Sequence, residues 1–224
     1  MLVLAFDTAM AACSVAVWRN GDIVAFRHVL QQRGHAETLI PMIDEVCREA
    51  GVAVRDVDRI GVTVGPGTFT GQRVGLAAAR ALAIGSRVEI RGTTTLRAVA
   101  MGVLEQDRGG LVAAVFDARR GEVYAQAFDS GFAALGKPQV MPPAALAGWA
   151  DGLPPGEVAL VGSGSTLAEG PLKAAGRRVR LSGAPDQPDA RIVARWAAGA
   201  ATDVWPPSPL YLRAPDAKLP GAAR

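Results

Sequence analysis

Short apolar runs alternate along this chain with longer stretches in which apolar side chains recur every three or four positions. The first kind suits buried strands; the second suits helices packed by one face. Leu2-Val3-Leu4-Ala5-Phe6, ended by Asp7, reads as a buried strand. Positions 13–18 alternate, Asn20-Gly21 is a two-residue hairpin signal, and 23–30 forms a third strand with Val24, Phe26, His28 and Leu30 on one face. A helix is predicted over 36–50, with Leu39, Ile43, Val46, Cys47 and Ala50 as its stripe and Gly51 as its stop. Pro41 falls early in it, where a missing N–H does least harm. A strand over 60–64, a helix over 70–84, a short strand over 88–90 and a helix from Thr94 or Thr95 to about Glu105 complete the first half.

The second half repeats this order. Strands are predicted over 111–116, closed by Asp117, then over 122–128 and 137–141. A short helix near 144–150, a strand over 158–161, a helix near 166–175, a strand over 179–181 and a last helix over 190–201 follow. Pro206, Pro207 and Pro209 then enforce an extended tail. Ala5-Phe6-Asp7-Thr8 corresponds to Val115-Phe116-Asp117-Ala118, and the glycine turn after the 60–64 strand corresponds to Gly162-Ser163-Gly164-Ser165. The pattern predicts a duplicated α/β protein of two small lobes, 1–106 and 107–224. Each lobe has a mixed sheet of three antiparallel strands extended by parallel ones.

The most informative segment is Gly65-Pro66-Gly67-Thr68-Phe69-Thr70-Gly71-Gln72-Arg73-Val74-Gly75. Gly65 and Gly67 permit backbone angles that a Cβ forbids, Pro66 stiffens the turn, and Thr68 or Thr70 can cap the following helix. Gly71, Gly75 and Ala79 fall four apart, giving that helix one face with almost no side chain. Val74, Leu76, Ala77, Ala78, Ala81 and Leu82 make it apolar nearly all round, which asks for a second buried contact beyond the sheet. The expectation is a helical interface built by the 36–50 and 70–84 helices through Leu39, Ile43, Val46, Gly71, Val74, Gly75, Ala78, Ala79 and Leu82.

A net charge of +3 with no Lys/Arg block gives no footprint for autonomous nucleic-acid binding. Cys13 and Cys47 lie in apolar patterns and read as buried free thiols. The first apolar run is too short for a secretory leader and none approaches a membrane span, so a cytoplasmic protein without membrane contact is expected. His35 is followed four residues later by Leu39, and His28 stands on a predicted strand, so no metal pair forms by spacing. No serine or cysteine is linked to a base, which disfavours a peptidase.

The chain resembles the TsaB (YeaZ) family. The resemblance rests on Asp7-Thr8-Ala9 with Cys13-Ser14-Val15-Ala16, on His35, Glu37, Leu39 and Pro41, and on the glycine turn through Phe69-Thr70-Gly71, Arg73 and Gly75. Asp117-Ala118-Arg119, Glu122-Val123-Tyr124, Tyr211-Leu212-Arg213 and Asp216-Ala217-Lys218 add to it. It implies the actin/Hsp70-like (ASKHA) fold and a non-catalytic dimerisation subunit in synthesis of threonylcarbamoyladenosine at tRNA position 37. The implied partners are the catalytic paralogue TsaD, the ATPase TsaE, and a second copy when alone, with tRNA reached only through the complex. The implication includes no catalytic residue, no metal and no cofactor in the isolated chain, with ATP or ADP at the interface of the complex. Asp7, Gly65, Gly67 and Thr68 are the candidate nucleotide contacts, although Asp7 and Asp117 also suit turn capping. The alternative is a free-standing ATP-dependent kinase or transferase using Asp7 and Asp117.

Overall fold

The computed structural model describes residues 1–84, 88–199 and 204–213. The Asp216-Ala217-Lys218 motif and the end of the expected 190–201 helix lie outside the described residues. Strands β1 (Leu2–Asp7), β2 (Ala12–Arg19) and β3 (Asp22–Leu30) form an antiparallel meander. Helix α1 (His35–Glu49) leads to β4 (Arg59–Thr63), parallel to β1; α2 (Phe69–Ala83) leads to β5 (Glu89–Thr93), parallel to β4; α3 (Thr95–Ala100) follows. The second half gives β6 (Leu111–Arg119), β7 (Glu122–Asp129), β8 (Gln139–Met141), α4 (Leu146–Asp151), β9 (Val158–Val161), α5 (Ser165–Ala174), β10 (Val179–Leu181) and α6 (Ala190–Ala198).

The two sheets run β3-β2-β1-β4-β5 and β8-β7-β6-β9-β10, one order used twice. β1 is buried along its whole length because helices cover both faces of its sheet, which is why its sequence is continuously apolar rather than alternating. Two expected elements are shorter: β8 begins only after Pro138, and α3 ends at Ala100, with a separate 3-10 turn at Glu105–Asp107.

The last helix of each half crosses to the other sheet, so packing does not follow the 1–106 and 107–224 division. Ala190, Val193, Ala194 and Ala197 of α6 close over Val3, Ala5 and Ala16 of the first sheet. Gly61 lets α6 approach: a Cβ there would lie 3.0 Å from that of Ala197. Two arginines hold the carboxyl end of α6, where its last carbonyls lack helical partners. Arg59 Nη1 donates to the Ala197 and Ala198 oxygens at 3.1 and 3.2 Å, and Arg91 Nη1 to that of Gly199 at 2.6 Å. In return Leu96, Val99 and Ala100 of α3 pack on Val112, Ala114, Phe116 and Phe128 of the second sheet.

The residues expected to form the helical interface need correction. Leu39, Ile43, Val46, Ala78 and Ala79 belong to the core between α1, α2 and the first sheet, and Gly71 and Gly75 are buried beside them. The small face of α2 looks inward because Thr8 sits on it. A Cβ on Gly71 would come 2.0 Å from the Thr8 carbonyl oxygen, and one on Gly75 would come 2.9 Å from Thr8 Oγ1. Replacing Gly75 with Leu therefore tests folding, not assembly. Val74 and Leu82 are only partly buried and remain at the surface.

After α6 the tail recrosses the first lobe. Trp205 pairs with Gly92, and Leu210 N–H donates to the Val64 oxygen at 2.8 Å. Arg213 then reaches the second lobe, pairing with the Glu122 carboxylate and donating from Nη1 to the Ala118 oxygen at 3.2 Å. The tail is thus a strap bonded to both lobes.

Candidate functional site

The glycine turn joins β4 to α2 and seats the β1–β2 turn. Thr68 N–H donates to the Ala9 oxygen at 2.8 Å, and Thr8 Oγ1 donates to the Gly71 oxygen at 2.7 Å. A Cβ on Gly67 would lie 2.3 Å from the Ala9 oxygen, so the two backbones touch only because this residue has no side chain. Thr68 caps α2, its Oγ1 accepting from Gly71 N at 3.1 Å. Thr95 N–H donates to the Gly65 oxygen at 2.9 Å and ties the turn to α3.

The two strand-end carboxylates have different surroundings. Asp7 is 0% exposed. Its Oδ1 accepts from the Thr63 hydroxyl and from Ala9 N–H, while Oδ2 is buried with no partner among the described residues. Burial raises its pKa to about 7, against the opposing pull of those two donors. Burial, with the nearby Asp7, pushes the Cys13 thiol up to about 12, and both cysteines are free and buried. Asp117 instead lines the space between the lobes, its Oδ1 accepting from Arg119 N–H at 2.7 Å. His35 Nε2–H donates to the Met10 oxygen at 3.0 Å, tying α1 to the β1–β2 turn.

That space is a cavity of about 780 Å³. The first lobe supplies Met10, Gly67, Thr68, Phe69 and Gln72; the second supplies Asp117, Arg119, Arg120, Tyr124 and Ser163; the strap supplies Leu210 to Arg213. Of the candidate nucleotide contacts, Gly67 and Thr68 reach its wall, whereas Asp7 and Gly65 lie behind it. Sequence reasoning assigned no site role to Phe69, Arg119, Arg120 or Tyr211. The signal available was an arginine in front of Gly121 at a hairpin turn, where Asn or Asp is the usual choice.

A family model described as TsaD, tRNA N6-adenosine threonylcarbamoyltransferase, matches residues 29–166. The tRNA threonylcarbamoyladenosine biosynthesis protein TsaB of Escherichia coli (strain K12) is 38% identical over 124 residues, 55% of this chain and 53% of that protein. The match thus spans about half the length of the curated TsaB relatives. An uncharacterised protein of Mycobacterium tuberculosis (strain ATCC 25618 / H37Rv) is 34% identical over 221 residues, covering 96% of this chain and 93% of its own. Among solved structures, YeaZ from Pseudomonas aeruginosa superposes with a TM-score of 0.73 at 27% identity, covering 94% of this chain and 99% of that one. ROK hexokinase from Thermus thermophilus, at 16% identity and TM-score 0.50, covers 88% and 97% and shares the fold alone. The fold is the actin/Hsp70-like one, with two mixed sheets flanked by helices.

Proposed function

Because the chain belongs to the TsaB (YeaZ) family, we propose that it serves tRNA threonylcarbamoyladenosine synthesis as a non-catalytic partner of the transferase. The observation that carries this reading is the outward face of α1 and α2. Ile40 of α1 is 53% exposed and Ile84, just past the end of α2, is 81% exposed. Pro41 of α1 and Ala77 and Ala81 of α2 are also exposed, and Val74 and Leu82 of α2 are half-buried. Exposed apolar side chains on two helices that pack together are suited to docking another protein.

In this reading the occupant is the paralogous transferase TsaD, whose family model matches this chain. A paralogue presents an equivalent helix pair, so the two pairs can close as a four-helix bundle. A second copy takes the same face when the paralogue is absent. The ATPase TsaE, a nucleotide at the boundary of the complex, tRNA reached through that complex and a cytoplasmic setting complete the proposal. Among the described residues no helix is long and apolar enough to cross a membrane.

The second reading, a free-standing ATP-dependent kinase or transferase, needs both strand-end carboxylates on the cleft. Asp117 lies on it; Asp7 is closed off behind the glycine turn. That reading requires ATP turnover by the isolated chain, abolished by Asp117→Ala.

The test is reconstitution with the paralogue, the ATPase, threonylcarbamoyl-adenylate and tRNA, with and without this chain. Modified adenosine should fall to background when the chain is omitted. The double variant Ile40→Asp, Ala77→Asp should give no binding heat with the paralogue at an unchanged melting temperature. Undiminished modification without the chain refutes the proposal.

A further inference from the structure

The outward side of α2 does not end at the helix. Phe69, Arg73, Ala77 and Ala81 are exposed at helical spacing along it. The strap is bonded to the same side. Its Tyr211 ring stacks on Phe69 with centroids 5.3 Å apart and 27° between the planes. The Arg73 guanidinium lies 3.4 Å from the Phe69 centroid, and its Nε donates to the Tyr211 hydroxyl at 2.8 Å. Farther along α2, Arg80 Nη2 donates to the Pro207 oxygen. The strap therefore adds a strip of surface to the helix, and in that strip Phe69 and Tyr211 stay 45% and 41% exposed.

Tyrosine and arginine are among the side chains that most often carry binding energy at protein interfaces. Here they are set in place before a partner arrives, by stacking, by the cation over the ring and by the hydroxyl bond, so less freedom is lost on docking. The Nη groups of Arg73 have no hydrogen-bond partner among the described residues, and they suit a carboxylate. No acidic residue occurs in α2, so its charge favours an acid opposite. The occupant is the protein that docks on α1 and α2, because the strip continues that surface.

The strap is also held from the second lobe. Arg213 pairs with the Glu122 carboxylate at the start of β7 and donates to the Ala118 and Arg119 oxygens at 3.2 and 3.5 Å. Upstream, Leu210 N–H is bonded to the Val64 oxygen of the first lobe. Only Tyr211 and Leu212 lie between these anchors, a stretch that spans at most about 11 Å. Tyr211 has little slack, and its meeting with Phe69 depends on both anchors. Releasing Arg213 frees Tyr211 to leave the ring, and a partner must then order it again on docking.

We propose that the strap is the third element of the docking surface. Phe69, Arg73 and Tyr211 receive an apolar side chain and an acid of the paralogue. The Arg213–Glu122 pair is a latch through which the second lobe sets how tightly that paralogue is held. The occupant rests on the docking reading above; the strap and the latch are added to it. Such coupling runs both ways, so the docked paralogue in turn holds the strap, and with it the two lobes, in one arrangement.

The test is titration calorimetry of the full chain with the paralogue, beside hydrogen exchange of the full chain alone. Tyr211→Ala should weaken binding about tenfold or more. Glu122→Gln, in the other lobe from α1 and α2, should weaken it about fivefold. In the free chain it should also speed amide exchange at Leu210. The double variant should bind no more weakly than Tyr211→Ala alone, because the latch acts through that ring. Unchanged affinity in Tyr211→Ala overturns the binding cluster. Unchanged affinity or unchanged exchange in Glu122→Gln overturns the latch, as do losses that add in the double variant, the result expected of a general loosening. If the unaltered chain binds the paralogue and these variants bind equally well, the strap has no part and docking on α1 and α2 stands. If the unaltered chain does not bind, the docking reading falls and the strap loses its occupant.

Discussion

Asp7→Asn isolates one buried proton and converts it into a stability curve. The Asp7 carboxyl is held near pKa 7 in the folded chain, against 3.8 for an ordinary aspartate, chiefly because burial disfavours its charge. The folded chain therefore binds a proton that the unfolded chain has released anywhere between those two values. Stability from this group is complete below about pH 4 and is lost as pH rises through about 7. Roughly three pH units at about 1.4 kcal/mol each give about 4 kcal/mol. Asn is neutral at every pH and keeps an oxygen to accept from the Thr63 hydroxyl and Ala9 N–H. Its amide puts N–H where the protonated acid has O–H, so the two chains should match near pH 4. At pH 8 the variant should be more stable by about 4 kcal/mol, or about 10 °C in Tm for a chain of this size. Urea unfolding of both proteins from pH 4 to 8, followed by tryptophan fluorescence, measures the difference. Parallel curves for the two proteins, or a gap that closes as pH rises, would refute the reasoning.

Two further outcomes follow from the glycine turn. Gly71→Ala drives a Cβ to 2.0 Å from the Thr8 oxygen, a backbone atom that cannot swing aside; a loss of about 2–3 kcal/mol is expected by urea unfolding, and a loss under about 0.5 kcal/mol contradicts the close seating. Thr68→Ala removes the cap of α2 and should cost about 1 kcal/mol, lowering Tm by a few degrees, with Thr68→Ser restoring most of it.

Local patterns in the chain reached the sheets but not the way the halves interlock. Continuous apolar runs at β1 and β6, each closed by an aspartate, marked the matching strands of the repeat because both are covered on two faces. Periodicity also found the small face of α2. It could not say which way that face looks, since a stripe without side chains serves a close neighbour inside the chain as well as one outside. Thr8, more than sixty residues earlier, decides the matter. Asp7 and Asp117 looked equivalent because each ends a strand. They diverge because Thr63 and the glycine turn enclose the first, while the second stands beside an open hairpin. The exchange of α3 and α6 left no local trace: both are ordinary amphipathic segments, and their destinations lie in the opposite half. Tyr211-Leu212-Arg213 was visible as a motif, but its placement across the cleft depends on contacts with Arg73 and Glu122.

The crossing of α6 has a consequence for biosynthesis. The strands of the first sheet have all been translated once Thr93 is made, yet one face stays bare until Ala198 has emerged from the ribosome. At about 5–20 residues per second that interval lasts roughly 5–20 s. Through it Val3, Ala5 and Ala16 present a greasy surface that α6 has yet to cover. Two halves that share one architecture are for that reason a single unit of folding, and a nascent or truncated amino-terminal half is a natural client for chaperones.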